Sequence, residues 1–332
     1  MARSCFFSDK KVHVIKRSFE QAFNAVFHDQ CAFHEFCHLD LKEEVTEFTI
    51  GDRTIFRTSD KLKKYLRFID KVIFRSLSKD DEVVHSFIKG KSSLTAVKAH
   101  VTNKYFFLTD VHDFYSNITS DDVRRILERD SRQVPIDDFD SYIDLVVGLT
   151  TYRGSIPVGF STSPQLSNAF LFEFDRAFND FCARESLIYT RYADDIIVSG
   201  SAFNELSELS SKVQNFLKEY ASPGMLINSE KTHITQIGNK VKILGLVVTP
   251  GGRITIDSKY KNNIESLVYF YINDKERYAD FLYRKFKGDE RSVFGLLHYA
   301  KSVDEKYIEK LQRKYGVYAL RSLMEERPSD KR

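Results

Sequence analysis

Asp194 and Asp195 stand side by side within Tyr189-Thr190-Arg191-Tyr192-Ala193-Asp194-Asp195-Ile196-Ile197-Val198-Ser199. Two apolar runs rich in β-formers flank a short polar tip, which is the pattern of a β-hairpin. Neighbouring strand residues point to opposite faces, but at a turn both carboxylates can lean toward one point. Such a pair suits a cation held against a phosphate. Asp is also an ordinary turn residue, and an isolated Asp-Asp would carry no further meaning. A second window offers His28, Cys31, His34, Cys37 and His38 as zinc ligands. Their spacing matches no standard finger, and along one helix they form a stripe rather than a tetrahedron. Core packing and solvent-facing imidazoles are the expectation there. Ser86 to Leu94 holds Gly90-Lys91-Ser92 but lacks the Gly-x4-Gly-Lys-Ser/Thr spacing of a P-loop.

Tyr-Ala-Asp-Asp between hydrophobic strands resembles the catalytic hairpin of reverse transcriptases. The likeness to the bacterial retron-type enzymes runs from about Arg53 to Gly316. It implies a third carboxylate upstream, at the end of a buried strand and beside an aromatic. Tyr105-Phe106-Phe107-Leu108-Thr109 reads as such a strand and ends in Asp110-Val111-His112-Asp113-Phe114-Tyr115. Nucleotidyl transfer uses two metals about 4 Å apart, one activating the 3′-hydroxyl and one neutralising the leaving pyrophosphate. The resemblance makes Asp110, Val111, Asp194 and Asp195 the metal ligands, with Asp110 and Asp194 bridging both ions. Three acids suffice for Mg²⁺, which takes its other ligands from waters and substrate phosphates; Mn²⁺ is the alternative ion.

The same likeness assigns nucleotide contacts to Arg53, Val111, Asp113, Phe114, Tyr115, Gly159 and Ser163. Tyr115 would be the steric gate that blocks a 2′-hydroxyl and favours dNTPs, with Phe114 packed beside it. Arg53 offers a fork for phosphate oxygens. Gly159, in Gly154-Ser155-Ile156-Pro157-Val158-Gly159-Phe160-Ser161-Thr162-Ser163-Pro164, would keep backbone open for a base pair. Lys231, in Met225-Leu226-Ile227-Asn228-Ser229-Glu230-Lys231-Thr232, would give a proton to the leaving pyrophosphate, with a plain surface lysine as the alternative.

Three positions depart from the family pattern. Val158 stands where Gln precedes the loop glycine, Ile243-Leu244-Gly245 replaces Val-Thr-Gly, and only His100 remains of an Asn-Ala-x-x-His signature. The chain therefore looks closer to antiphage defence relatives of the abortive-infection and unknown-group kinds. These imply copying of a dedicated noncoding RNA into DNA, with an effector protein, a second defence subunit or a homo-oligomer as further partners. Template-independent or protein-primed synthesis is the second reading, which Val158 favours. A catalytically idle RNA-binding scaffold is the third.

The elements that must position these groups follow from periodicity. Residues to about 45 look helical, with Val12, Val14, Ile15, Phe19, Phe23, Val26 and Phe27 at helical intervals. Glu47 to Arg57 reads as a hairpin turning near Gly51-Asp52, and 61–77 as an amphipathic helix. Helices are expected at 137–149, from Pro164 to Phe178 and from Phe203 to Tyr220. Val241 to Val248 and Arg253 to Ile256 are expected to pair around Pro250-Gly251-Gly252, followed by Lys/Arg-laced helices from about Lys259 that could track a duplex backbone. The expected class is α+β with the right-hand polymerase fold: N-terminal helices and fingers over 1–103, an RRM-like palm with an antiparallel sheet over 104–256 and a helical thumb over 257–332.

Composition sets outer limits. With 332 residues, 42% hydrophobic, a sizeable core is available and several subdomains are expected. A net charge of +3 gives no global field for nucleic acid, so any basic surface is local. Four scattered cysteines, Cys5, Cys31, Cys37 and Cys182, and no signal-like start fit a reduced bacterial cytoplasm. No run has the length to span a bilayer, so no membrane partner is expected.

Overall fold

Phe106 and Phe107 are neighbours on one strand and both are buried, which tells how the central sheet is packed. Adjacent strand residues face opposite ways, so this strand is covered on both sides. In the computed structural model, which describes residues 16–325 apart from Asp29, Asp52, Asn239 and Lys240, nine strands form three antiparallel sheets. Strands β1 (Val45–Ile50) and β2 (Arg53–Thr58) make a hairpin. The strands β3 (Tyr105–Asp110), β4 (Ile188–Tyr192), β5 (Asp195–Gly200) and β6 (His233–Gln236) form a sheet in the order β4-β5-β3-β6. A third sheet joins β7 (Val241–Ile243), β8 (Leu246–Val248) and β9 (Ile254–Ile256). The α+β class expected from the pattern is present.

The chain divides into two compact units. The first takes the described residues of Met1–Phe87, Val111–Phe181 and Ser211–Asn228, and the second takes Ile88–Asp110, Cys182–Ser210 and those of Ser229–Arg332.

In the first unit the helix Asp60–Val72 buries Leu62, Tyr65, Leu66, Phe68 and Ile69, the stripe its periodicity prescribes, and Ser59 caps its start through Leu62 N–H at 3.0 Å. Phe19, Phe23 and Phe36 from short N-terminal helices pack edge-on and stacked against Tyr65 and Phe68. Of the N-terminal helical stretch expected from the sequence, Val12, Val14 and Ile15 lie outside the described residues, as do Cys5 and Asp52. Thr119 caps the helix Ser120–Asp130 in a reciprocal box with Asp122. The single helix expected from Pro164 breaks at Leu171 into Ser163–Phe170 and Phe172–Arg184. Cys31 and Cys37 are half-buried, and the rings of His34 and His38 stack with centroids 4.2 Å apart.

In the second unit the helix Ser93–Lys98 and the three-stranded sheet share one core with the four-stranded sheet, through Val97, Phe106, Ile197, Val241, Ile243, Leu246 and Val248. Fully burying one such side chain contributes about 1.5–3 kcal/mol. The expected strand over 241–248 is in fact two. Leu244 and Gly245 both take positive φ, 49° and 77°, the sign pattern of a type I′ turn, so the run folds back on itself. The helix expected from Phe203 starts only at Leu209. The five helices Ser258–Asn273, Lys275–Phe286, Glu290–Val303, Glu305–Tyr315 and Val317–Met324 enclose a core of their own, which includes Ile264, Leu267, Val293, Leu297 and Leu311. Among the described residues no helix is long and apolar enough to cross a membrane.

Candidate active site

The register of one long-range strand pair and one local hairpin builds the site. Asp110, the last residue of β3, lies opposite Asp195, the first of β5. Directly opposed residues of an antiparallel pair share a face, so two carboxylates more than 80 positions apart in sequence face the same way. Asp194 occupies the turn just before Asp195. That turn has two residues, Ala193 and Asp194, between the paired Tyr192 and Asp195. Ala193 has φ 56° and Asp194 does not share its sign, the pattern of a type II′ hairpin turn.

Asp110 is 6% exposed. Its Oδ2 accepts a hydrogen bond from Lys231 Nζ at 2.6 Å, while its Oδ1 is buried with no partner. Burial, followed by the charges of Asp194 and Asp110, pushes the Asp195 carboxyl up to about 6, against a lowering pull from Lys231. The pocket of about 370 Å³ in front of Asp110 and Asp195 is lined also by Thr109, Glu230, Lys231, His233, Lys242 and Leu244. Hard oxygen donors, one of them buried and unpartnered, together with a surplus of negative charge, fit Mg²⁺ or Mn²⁺. The charges of Asp110 and Asp194 both act on the Asp195 carboxyl, and the cation on Asp110 is the Lys231 ammonium. Among the described residues no group of three or more His, Cys, Asp or Glu side chains is arranged to hold a metal.

The other residues expected at the nucleotide lie in the first unit. Arg53 is exposed at the start of β2, where it pairs with Ile50 across the hairpin. Val111 is buried and bridges Ile227, and the neighbouring His112 N–H donates to Leu226 O at 2.8 Å. Asp113 is exposed, in the left-handed region at φ 46°, with His112 Nδ1 at 3.2 Å. Phe114 is buried and its ring lies 5.6 Å from that of the half-buried Tyr115. Two of the expected positions have contacts within the protein. The Ser163 hydroxyl is buried and donates to Pro157 O at 2.7 Å, which fastens its own loop. Gly159, at φ 114°, is glycine because a Cβ there would stand 2.2 Å from Phe56 O. Phe56 N–H donates to Val158 O at 2.8 Å in the same contact.

Two groups were given no role at the site by sequence reasoning, although His100 was noted as the remnant of a signature. His100 is fully buried, its ring nitrogens 2.7 Å from Ser199 Oγ and Thr190 Oγ1, so it spans β4 and β5. Arg191, also fully buried, donates from Nη1 to Ala193 O at 2.8 Å. The available signal was a cation inside an apolar strand run, since Arg is almost never fully buried without partners.

The chain is similar to the Retron Ec83 reverse transcriptase of Escherichia coli, 24% identical over 286 residues that cover 84% of this chain and 88% of that one. It is 26% identical to the Retron Ec86 reverse transcriptase of Escherichia coli over 80% of this chain and 78% of that one. Among solved structures, telomerase from Candida albicans in complex with a TWJ fragment of telomeric RNA aligns with a TM-score of 0.44 and 11% identity, over 86% of this chain and 61% of that one. The foamy viral protease-reverse transcriptase in complex with double-stranded DNA aligns with a TM-score of 0.40 and 16% identity, over 84% of this chain and 43% of that one. The family model described as reverse transcriptase (RNA-dependent DNA polymerase) matches residues 46–248. Spanning more than half of the chain, that match makes the protein a member of the reverse transcriptases, the RNA-directed DNA polymerases.

Proposed function

We propose that DNA synthesis takes place where β3 ends against the β4–β5 turn, with Asp110, Asp194 and Asp195 as the acidic set. The observation that carries this reading is the unpartnered, buried Asp110 Oδ1 on the same face as Asp195, whose carboxyl is pushed up by burial and by like charge. A scaffold has no need to hold carboxylates against one another in this way. Asp110, Asp194 and Asp195, with the Val111 carbonyl, would hold two Mg²⁺ or Mn²⁺ ions. When bound, these supply Lewis-acid activation of the attacking 3′-hydroxyl and charge neutralisation at the leaving pyrophosphate.

The chain's own groups supply the rest. Lys231 balances Asp110 in the free protein and can give a proton to the leaving pyrophosphate once a dNTP is bound. Tyr115 restricts the sugar to deoxyribose, and Arg53 takes triphosphate oxygens. The template is a noncoding RNA and the product DNA, in a bacterial cytoplasm. The biological setting is antiphage defence, with an effector protein, a second subunit or another copy of the chain as partner. The retron names of the relatives support the template assignment. Fingers, palm and thumb correspond to 1–103, 104–256 and 257–332. Template-independent addition keeps one specific support: Val158, whose carbonyl is taken up by Phe56 N–H, offers an apolar side chain where the family pattern has Gln.

The test is dNTP incorporation by the purified chain with Mg²⁺, with and without the RNA that co-purifies. Incorporation that is lost in Asp194→Asn and follows the RNA sequence supports the reading. Incorporation independent of RNA transfers support to the second one. Full function in Asp194→Asn overturns both.

A further inference from the structure

Arg191 has the largest fully buried side chain among the described residues. It pairs with Ile196 across the hairpin, whereas Tyr192 pairs with Asp195, so its side chain leaves the sheet on the face opposite Asp195. From there Nη1 returns to the turn and donates to Ala193 O at 2.8 Å. That carbonyl belongs to the peptide unit whose nitrogen is Asp194's. Ala193 sits at φ 56°, a region that side-chain-bearing residues avoid and that glycine would enter freely. The first central position of a type II′ turn is ordinarily glycine, so here the turn's conformation is not encoded by its own residue. A hydrogen bond from an ionised donor is stronger than a neutral one, and it opposes rotation of the Ala193–Asp194 peptide.

We propose that Arg191 is a positioning residue: it braces the left-handed Ala193 turn from behind the sheet and so fixes the direction in which Asp194 presents its carboxylate. The inference rests on the acidic site proposed above, and it adds a residue that touches neither nucleotide nor metal.

The experiment compares the unaltered chain, Arg191→Met and Arg191→Lys. It measures kcat and KM for dNTP and primer–template, and the deuterium uptake of the backbone over 193–195 without metal. Arg191→Met is expected to lower kcat on the order of 10- to 100-fold, the scale of a misplaced reacting group. KM for primer–template should stay within about twofold, and uptake should rise at 193–195 while the rest of the sheet is unaltered. Arg191→Lys, which keeps the charge and a donor, should fall between the two in both readouts. A folded Arg191→Met with kcat and uptake like those of the unaltered chain overturns the proposal. Should Arg191→Met not fold, Arg191→Lys decides alone: raised uptake at 193–195 supports the brace and unaltered uptake overturns it. If the unaltered chain incorporates no dNTP, the site reading fails, and the uptake comparison still judges Arg191.

Discussion

Asp110 and Asp304 are hidden from solvent to nearly the same degree, at 6% and 4% exposure, yet they live in opposite electrostatic settings. Asp304 caps the helix Glu305–Tyr315. It accepts hydrogen bonds from Tyr307 N–H at 3.2 Å, from Arg253 Nη2 at 2.5 Å and from Thr255 Oγ1, with Lys261 Nζ at 3.7 Å. Burial works to raise its pKa, but the Thr255 and Arg253 hydrogen bonds and the Arg253 charge overcome burial and hold it below the usual carboxylate range. In the same unit, Asp110 has one oxygen on Lys231 and one on nothing, and it faces Asp195. Several donors share the carboxylate of Asp304, and Asp110 has one cation and one buried oxygen with no partner. A fold that can satisfy an aspartate so fully at 304 leaves those near 110 and 195 underserved, as expected where a ligand completes the site.

The largest effect expected from this contrast is on catalysis. Asp194→Asn should reduce single-nucleotide incorporation roughly 10³-fold or more, about 4 kcal/mol in the barrier, without lowering the thermal unfolding midpoint. A large fall in that midpoint would move the acid pair into the structural class of Asp304. Asp304→Ala should do the reverse. Losing the helix cap and the Arg253 partner should destabilise the chain by about 2–4 kcal/mol in denaturant melts, and Mg²⁺ affinity by calorimetry should be unaltered. Lys231→Ala is expected to slow incorporation on the order of 10²-fold, the lower end of general acid catalysis. If its pH–rate profile keeps the basic limb of the unaltered chain, Lys231 is a counter-charge for Asp110 and not a proton donor.

The smallest effect concerns pH. Because the folded-state pKa of Asp195 is raised, to about 6, this group destabilises the metal-free fold above that pH and ceases to do so as pH falls toward the ordinary Asp value near 4. Asp195→Asn should therefore stabilise the chelator-treated protein by about 1–3 kcal/mol at pH 7.5, and the gain should shrink below pH 6 and fade toward pH 4. The contribution of Asp304 has the opposite sign. It is present throughout that range and is lost only as pH falls below the ordinary Asp value, through the lowered folded one. Melts of the two variants across pH 7.5 to 4 would show whether the two acids part company in this way.

Much of the site was legible because its signals are local. The alternation around Tyr189 to Ser199 and the apolar run of Tyr105 to Thr109 mark strands by themselves, and a two-residue polar tip can only be a tight turn. The Asp60–Val72 helix was equally plain from its stripe. What Ser163 and Gly159 touch within the protein was not legible, for the opposite reason. A buried hydroxyl bonded to Pro157 and a Cα pressed on Phe56 are facts about partners six and about a hundred residues away, and residue type does not name a partner. The break at Leu244-Gly245 was hidden because Leu gives no hint of positive φ.

The sequence by itself determined that this chain folds as alternating helices and antiparallel strands around three carboxylates at strand ends, since strand period, turn chemistry and helical stripes are written in neighbouring residues. Only the tertiary structure decided that Asp110 faces Asp195, that Lys231 closes on Asp110, and that Arg191 reaches the turn from behind. Register between strands some 85 positions apart is set by packing of the whole unit, which no local pattern can specify.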